Sequence, residues 1–131
     1  MVPRPLALMF AAALTLTACY ATGVLTYDEA GNPLFVQYAE TASCASGRCA
    51  HACPEGGFDC VFSCSGGGCH QICEADSACH FTCSGGGCVQ RCMPGARCRA
   101  ACSGGGCDQA CASPHLCGLS CSGGGCVVDG Q

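Results

Sequence analysis

Nineteen cysteines and four histidines are the residues of this 131-residue chain with the most chemistry to offer. Reduced, they would make ligands for zinc or copper. Zinc sites built from cysteine pairs use C-x2-C knuckles, with a second pair a dozen or more residues on. Here each unit of the chain carries C-x3-C and C-x4-C spacings, and no C-x2-C occurs. His51, His70, His80 and His115 fall at four different places in the pattern, so they do not build a repeated site. No metal and no cofactor is expected. A metal-sequestering Cys/His-rich protein, acting in its reduced form, is the alternative.

Four SGGG loops raise two further possibilities. A phosphate cradle of the P-loop kind needs a lysine followed by Ser or Thr, and the chain has no lysine. Calcium-binding glycine repeats need an aspartate at a fixed place after the glycines. Only Asp108 stands there; its equivalents are His70, Val89 and Val127. Ser65, Ser84, Ser103 and Ser122 each sit beside a cysteine without a repeated histidine or acid to act as base. The C-x2-C motif of thiol oxidoreductases is missing as well. The expectation is a protein that is not an enzyme. Its glycines (Gly66, Gly67, Gly68; Gly85, Gly86, Gly87; Gly104, Gly105, Gly106; Gly123, Gly124, Gly125) read as structural turns.

The elements that would position these residues follow from a repeat. From Cys60 onward the pattern C-x3-C-SGGG-C-x3-C-x5 recurs every nineteen residues, with an irregular leading copy at Cys44, Cys49 and Cys53. One series is Cys64, Cys83, Cys102 and Cys121; the next is Cys69, Cys88, Cys107 and Cys126. Cys73, Cys92 and Cys111 make a third, and Cys60, Cys79, Cys98 and Cys117 a fourth. Segments this short, fenced by Gly and Pro, cannot nucleate a helix. They read as strands, with both cysteines on one face and the middle residue between them. Those middle residues form an apolar series, Phe62, Phe81, Ala100 and Leu119, and a polar one, His51, Gln71, Gln90 and Gln109.

The fold class expected is all-β and disulfide-rich: a thin β-solenoid of nineteen-residue coils. In it the first series stacks into an apolar ladder, and the glutamines into an amide ladder bonded rung to rung. An antiparallel meander of short strands is the rival, but nothing in the chain would cover its cysteine-bearing face. Tyr, Phe and Trp together make only 6% of the residues, so bridges must supply what an aromatic core would.

Two pairing schemes compete once each SGGG turn is closed by its flanking cysteines. Pairing across the same hairpin (Cys79–Cys92) strands Cys53 and Cys117, because Glu40 and Gly130 occupy their partner positions. Sequential pairing (Cys92–Cys98 and its equivalents) leaves no repeat cysteine over, and is preferred on parity.

The segment Gly23 to Thr41 holds two β-rich runs around Asp28-Glu29-Ala30-Gly31-Asn32-Pro33, which signal a turn. It reads as a hairpin capping the first coil, or else as a tether. Ahead of it, Arg4 precedes an apolar run from Leu6 to Leu16, the length of a signal-peptide core and short for a membrane span. The run closes on Leu16-Thr17-Ala18-Cys19, which resembles the lipobox of bacterial lipoprotein precursors.

That resemblance implies cleavage before Cys19, a diacylglycerol thioether on its sulfur and an acylated amine. Two or more acyl chains hold a protein stably at a membrane surface. It also implies an address in the bacterial envelope, and Tyr20 in place of Asp favours the outer membrane. The organisation expected is a signal helix over 1–18, an anchor, tether and hairpin over 19–43, and the repeat over 44–131. The partners expected are a membrane, through the lipid, and an envelope or extracellular component.

Nucleic acid is excluded by a net charge of −4 without clustered Lys and Arg. Arg91, Arg97 and Arg99 lie close together in sequence and are candidates to meet an anionic partner. The cysteine ladder loosely resembles the disulfide-braced β-solenoid antifreeze proteins of beetles. The resemblance is to architecture alone, since their Thr-x-Thr array is absent. A structural, spacer or adhesive role is the expectation.

Overall fold

A computed structural model describes residues 23–28 and 30–129. The signal segment and Cys19 lie outside the described residues. The strands are β1 (Gly23–Tyr27), β2 (Pro33–Tyr38), β3 (Thr41–Cys44), β4 (Ala50–Cys53), β5 (Cys60–Cys64) and β6 (His70–Cys73). They continue as β7 (Ala78–Cys83), β8 (Val89–Cys92), β9 (Arg97–Cys102), β10 (Asp108–Cys111), β11 (Cys117–Cys121) and β12 (Val127–Asp129). A 3-10 turn, Pro114–Leu116, interrupts the last long edge loop.

Strands alternate between two sheets, ordered β1-β2-β4-β6-β8-β10-β12 and β3-β5-β7-β9-β11. Successive coils pair in parallel and in a register of nineteen: Phe62 opposite Phe81, Phe81 opposite Ala100, Ala100 opposite Leu119. This is a β-solenoid. Among the described residues only β1 and β2 pair antiparallel, so the meander is set aside.

Nine disulfides brace the coils. Five close the glycine-turn edge: 44–49, 64–69, 83–88, 102–107 and 121–126. Four close the opposite edge: 53–60, 73–79, 92–98 and 111–117. Their Cα separations run from 5.8 to 6.5 Å, well short of the about 10 Å between ordinary packed sheets. The two sheets are therefore pinched together at both edges, leaving one inward column from each.

The inward column of the five-stranded sheet is apolar. Phe62 and Phe81 are buried and stack with ring centroids 5.2 Å apart; Ala100 and Leu119 continue the column. The opposing column is polar and equally buried. Gln90 Nε2 donates to Gln71 Oε1 at 2.8 Å, and Gln109 Nε2 donates to Gln90 Oε1 at 2.7 Å.

The amides also reach across the interior. Gln71, Gln90 and Gln109 donate to the carbonyls of Thr82, Ala101 and Ser120 in the other sheet. Such doubly used amides satisfy polar groups that burial would otherwise penalise. Opposite Gln109 in the final rung stands Val128, which offers no donor. Gln109 Oε1 is accordingly buried without a partner.

Replacing Gln90 by Leu orphans Gln71 Oε1 and removes the side-chain bond to the Ala101 carbonyl. It should lower unfolding stability by about 2 kcal/mol, read by guanidinium titration under oxidising conditions. Gln109→Leu leaves Gln90 Oε1 without its donor but also removes an acceptor that already lacks a partner, and should cost less. A Gln90→Leu variant as stable as the parent would remove the ladder as a source of stability.

The leading segment is a hairpin, closed by Asn32 N–H donating to Asp28 Oδ1 at 2.8 Å with Gly31 in the left-handed region. Its second strand extends the seven-stranded sheet, pairing β2 with β4. Leu34 and Val36 pack on Ala50, Ala52 and Ile72. That cluster lies on the outer face of the sheet, since these positions alternate with the inward His51 and Gln71. The hairpin thus covers part of the outside of the rod as well as its first coil.

In the leading turn Arg48 takes φ 60°, the place of Gly68, Gly87 and Gly106 at 66–67° in the later turns. Arg48→Gly should raise stability by about 1 kcal/mol, because glycine alone occupies that region without a Cβ penalty. The same denaturant titration measures it.

Candidate functional site

The repeat exposes four surfaces: two turn edges and two outer sheet faces. Each is set by alternation along the strands and by the register between them.

The glycine edge is built for close stacking. A Cβ on Gly85 would fall well under 3.0 Å from backbone atoms of Gly67 in the preceding coil, and one on Gly104 would meet Gly86 in the same way. The four loops therefore present backbone and the hydroxyls of Ser65, Ser84, Ser103 and Ser122.

On the other edge the x5 turns look unconstrained in sequence, yet the first two each hold one buried residue; the third, 112–116, holds none. Ser77 and Ala96 are 2% and 0% exposed and plug the end of the interior. Ser77 Oγ donates to the Glu74 carbonyl, and lies 3.0 Å from Cys73 Sγ. Only the flanking positions of those turns are free to vary.

The histidines are not brought together. His51 faces inward in the polar column with its ring 5.7 Å from that of Phe62. His70 lies on the outer face of the seven-stranded sheet, in the groove beside the hairpin. His80 is exposed on the face of the five-stranded sheet, and His115 sits in the 3-10 turn.

Burial holds the His51 imidazole below its ordinary value of 6.5. The unfolded chain therefore binds the proton more readily, so stability is full above pH of about 6.5 and falls as the pH drops through it to the folded value. His51→Gln would extend the amide column and should flatten that part of the profile. Midpoints of denaturation between pH 7.5 and 5 test this; an unchanged slope in the variant would assign the pH dependence elsewhere.

Sulfur is concentrated in the two bridge columns. The Sγ atoms of Cys64, Cys83 and Cys88 lie within 4.8 Å of one another, as do those of Cys53, Cys60 and Cys79. Every one of them belongs to a disulfide, and a disulfide sulfur is not a thiolate ligand. Reduction would be needed before these triads could hold a soft cation.

The arginines that stand together in sequence part in space. Arg91 lies in the seven-stranded sheet, where its guanidinium donates to Asp108 Oδ2 at 3.3 Å. Arg97 and Arg99 lie in β9 of the other sheet, both exposed. The expectation of a single three-arginine cluster is thus corrected: the turn at Met93–Ala96 carries the chain from one sheet to the other.

The two ladders fill the space between the sheets, and the outer faces carry grooves. One of about 530 Å³ runs between the hairpin and the seven-stranded sheet, lined by Tyr27, Asp28, Leu34, His70, Ile72 and Met93 among others. The Asn32 amide bonded to Asp28 holds that carboxyl below its usual value. A second groove, about 510 Å³, crosses the five-stranded sheet past Asp59, Val61, His80, Arg97 and Arg99. A third, about 360 Å³, follows on the same sheet between the columns Ser63, Thr82, Ser120 and Ser65, Ser84, Ser103.

The five-stranded sheet therefore presents cations toward one edge and hydroxyls toward the other, on a rigid backbone. This face is the candidate site. Alternation in the sequence identifies its residues, but their grouping needed the register. No protein-family model, no curated protein and no solved structure matches this chain.

Proposed function

We propose that this chain is a lipid-anchored, disulfide-braced rod of a bacterial cell envelope, with a structural, spacer or adhesive role and no catalytic one. The observation that carries it is the closure of the cysteine inventory. Eighteen repeat cysteines bond to one another in nine bridges. None is left to pair with Cys19, the residue at which the lipobox-like Leu16-Thr17-Ala18-Cys19 ends. A bridged fold also suits an oxidising compartment.

Three residues, Tyr20 to Thr22, would separate the lipid from β1, which supports a rod held close to the membrane. Expression in a bacterial host and intact-mass analysis of the membrane fraction test the reading. The expected mass is that of residues 19–131 plus the diacylglyceryl and acyl groups. Cys19→Ala should move the protein out of that fraction; an unlipidated mature chain would overturn the proposal.

The sulfur triads favour a second reading, a thiolate store for a soft metal ion. Thiol titration of freshly isolated protein separates the two. Near-zero free thiol supports the braced rod, and many thiols with bound metal support the store.

A further inference from the structure

We infer that the outer face of the five-stranded sheet binds an acidic polysaccharide, with Arg97, Arg99 and His80 taking its anionic groups. Arg97 and Arg99 alternate along β9, so both leave the sheet on one side, about 6.6 Å apart along the strand. His80 is the register partner of Arg99 in the adjacent strand, about 4.8 Å away. All three are exposed. Among the described residues no ion pair ties Arg97 or Arg99 to a carboxylate, whereas Arg91 on the opposite face is paired with Asp108.

Asp59 stands in the same groove, and Asp76 lines the neighbouring one that Arg97 also borders. In a chain of net charge −4, two adjacent guanidinium groups on a rigid strand are a local exception. Their planar forks suit carboxylate, sulfate or phosphate oxygens.

The rest of the face argues for a glycan as the carrier of those groups. Beyond the cations, β7 presents Thr82 and its loop Ser84, while β11 presents Ser120 and its loop Ser122. The loop hydroxyls of Ser65, Ser84, Ser103 and Ser122 recur at the strand spacing of about 4.8 Å, suited to bonding the neutral hydroxyls of an extended sugar chain, while Thr82 and Ser120 stand two strands apart with Ala101 between them. A Cβ at Gly118 would meet nothing within 4 Å, so the groove stays open past Arg99.

A lipid surface would call for protruding aromatic and apolar side chains. The exposed Tyr27 and Phe35 lie in the hairpin, away from this face; near it stand only Phe58, in the edge turn bordering Arg97, and the aliphatic Val61. Single-stranded nucleic acid would call for a run of large stacking platforms, and β7, β9 and β11 display no Phe, Tyr or Trp outward.

The test uses the detergent-purified full chain, oxidised, with polygalacturonate as probe in titration calorimetry at low and at physiological salt. Binding is expected to weaken with salt, as exposed charges are screened. Arg97→Gln with Arg99→Gln should weaken it at least ten-fold with circular dichroism unchanged. Arg91→Gln on the opposite face should leave it as it was. Cys19→Ala should also leave it unchanged, which keeps this inference separate from the lipid anchor. Four results would overturn the assignment: no binding by the parent, full affinity in the double variant, an equal loss in Arg91→Gln, or tighter binding to anionic vesicles or single-stranded DNA than to the polyuronate.

Discussion

Complete reduction of the nine disulfides should unfold the repeat: its β-type circular dichroism should collapse and it should become a substrate for protease. The bridges close loops of five to seven residues. By the chain-entropy estimate each contributes about 2 kcal/mol, so the set contributes on the order of 20 kcal/mol. Little else could replace them.

The apolar interior of the rod is one column, Phe62, Phe81, Ala100 and Leu119, and the opposing column is amide. Domains ordinarily keep only about 5–15 kcal/mol of net stability, so the loss exceeds the margin. Protease digestion and circular dichroism before and after a thiol reductant decide the matter. A reduced chain that keeps both its spectrum and its resistance would show that the ladders alone hold the coils.

A single methyl group on the glycine edge has the next largest effect expected. At Gly85 the Cβ would enter the backbone of Gly67, and the obstacle is main chain, so no rotamer change relieves it. The coils must part locally, disturbing contacts such as Ser84 N–H to the Cys64 carbonyl at 2.9 Å. Gly85→Ala should cost on the order of 4 kcal/mol, in the range reserved for steric breakdown.

Two other glycines calibrate it. Gly124 has φ +81° and open space around it, so its alanine variant should pay only the left-handed penalty of about 1 kcal/mol. Gly118 has neither constraint, and Gly118→Ala should be neutral or stabilising by about 0.5 kcal/mol. The ordering Gly85, Gly124, Gly118 in denaturant midpoints is the measurement. If Gly85→Ala is as mild as Gly124→Ala, the turns are not stacked as closely as described.

How much of this is legible in the sequence depends on whether a property repeats. Cysteines every nineteen residues reveal the coil, and residues midway between them reveal both ladders, because strand alternation acts identically in each unit. Properties that arise once are hidden. Val36 packs on Ala50 and Ala52 outside the rod, a contact no period marks.

Arg97 and Arg91 sit on opposite faces, although they are near neighbours in the chain, because an edge turn intervenes. Ser77 and Ala96 are buried within loops whose composition suggests surface. The reach of each glutamine to a carbonyl across the interior depends on how closely the bridges draw the sheets together. Spacing in sequence suggests that pinch, but not which carbonyls it brings within range. The hairpin is legible from its turn residues; its second strand joining the seven-stranded sheet is not.

The local pairing of the cysteines bears on how the rod is made. Among the described residues no bridge spans more than seven residues, so none of the eighteen repeat cysteines waits for a partner from a distant part of the chain. In an exported chain such as the one proposed, an emerging segment could oxidise its own pair and lay its strand on the coil already formed. Assembly then runs as growth from one end, one rung at a time. Wrong partners are scarce, because the correct one is always the next cysteine to arrive.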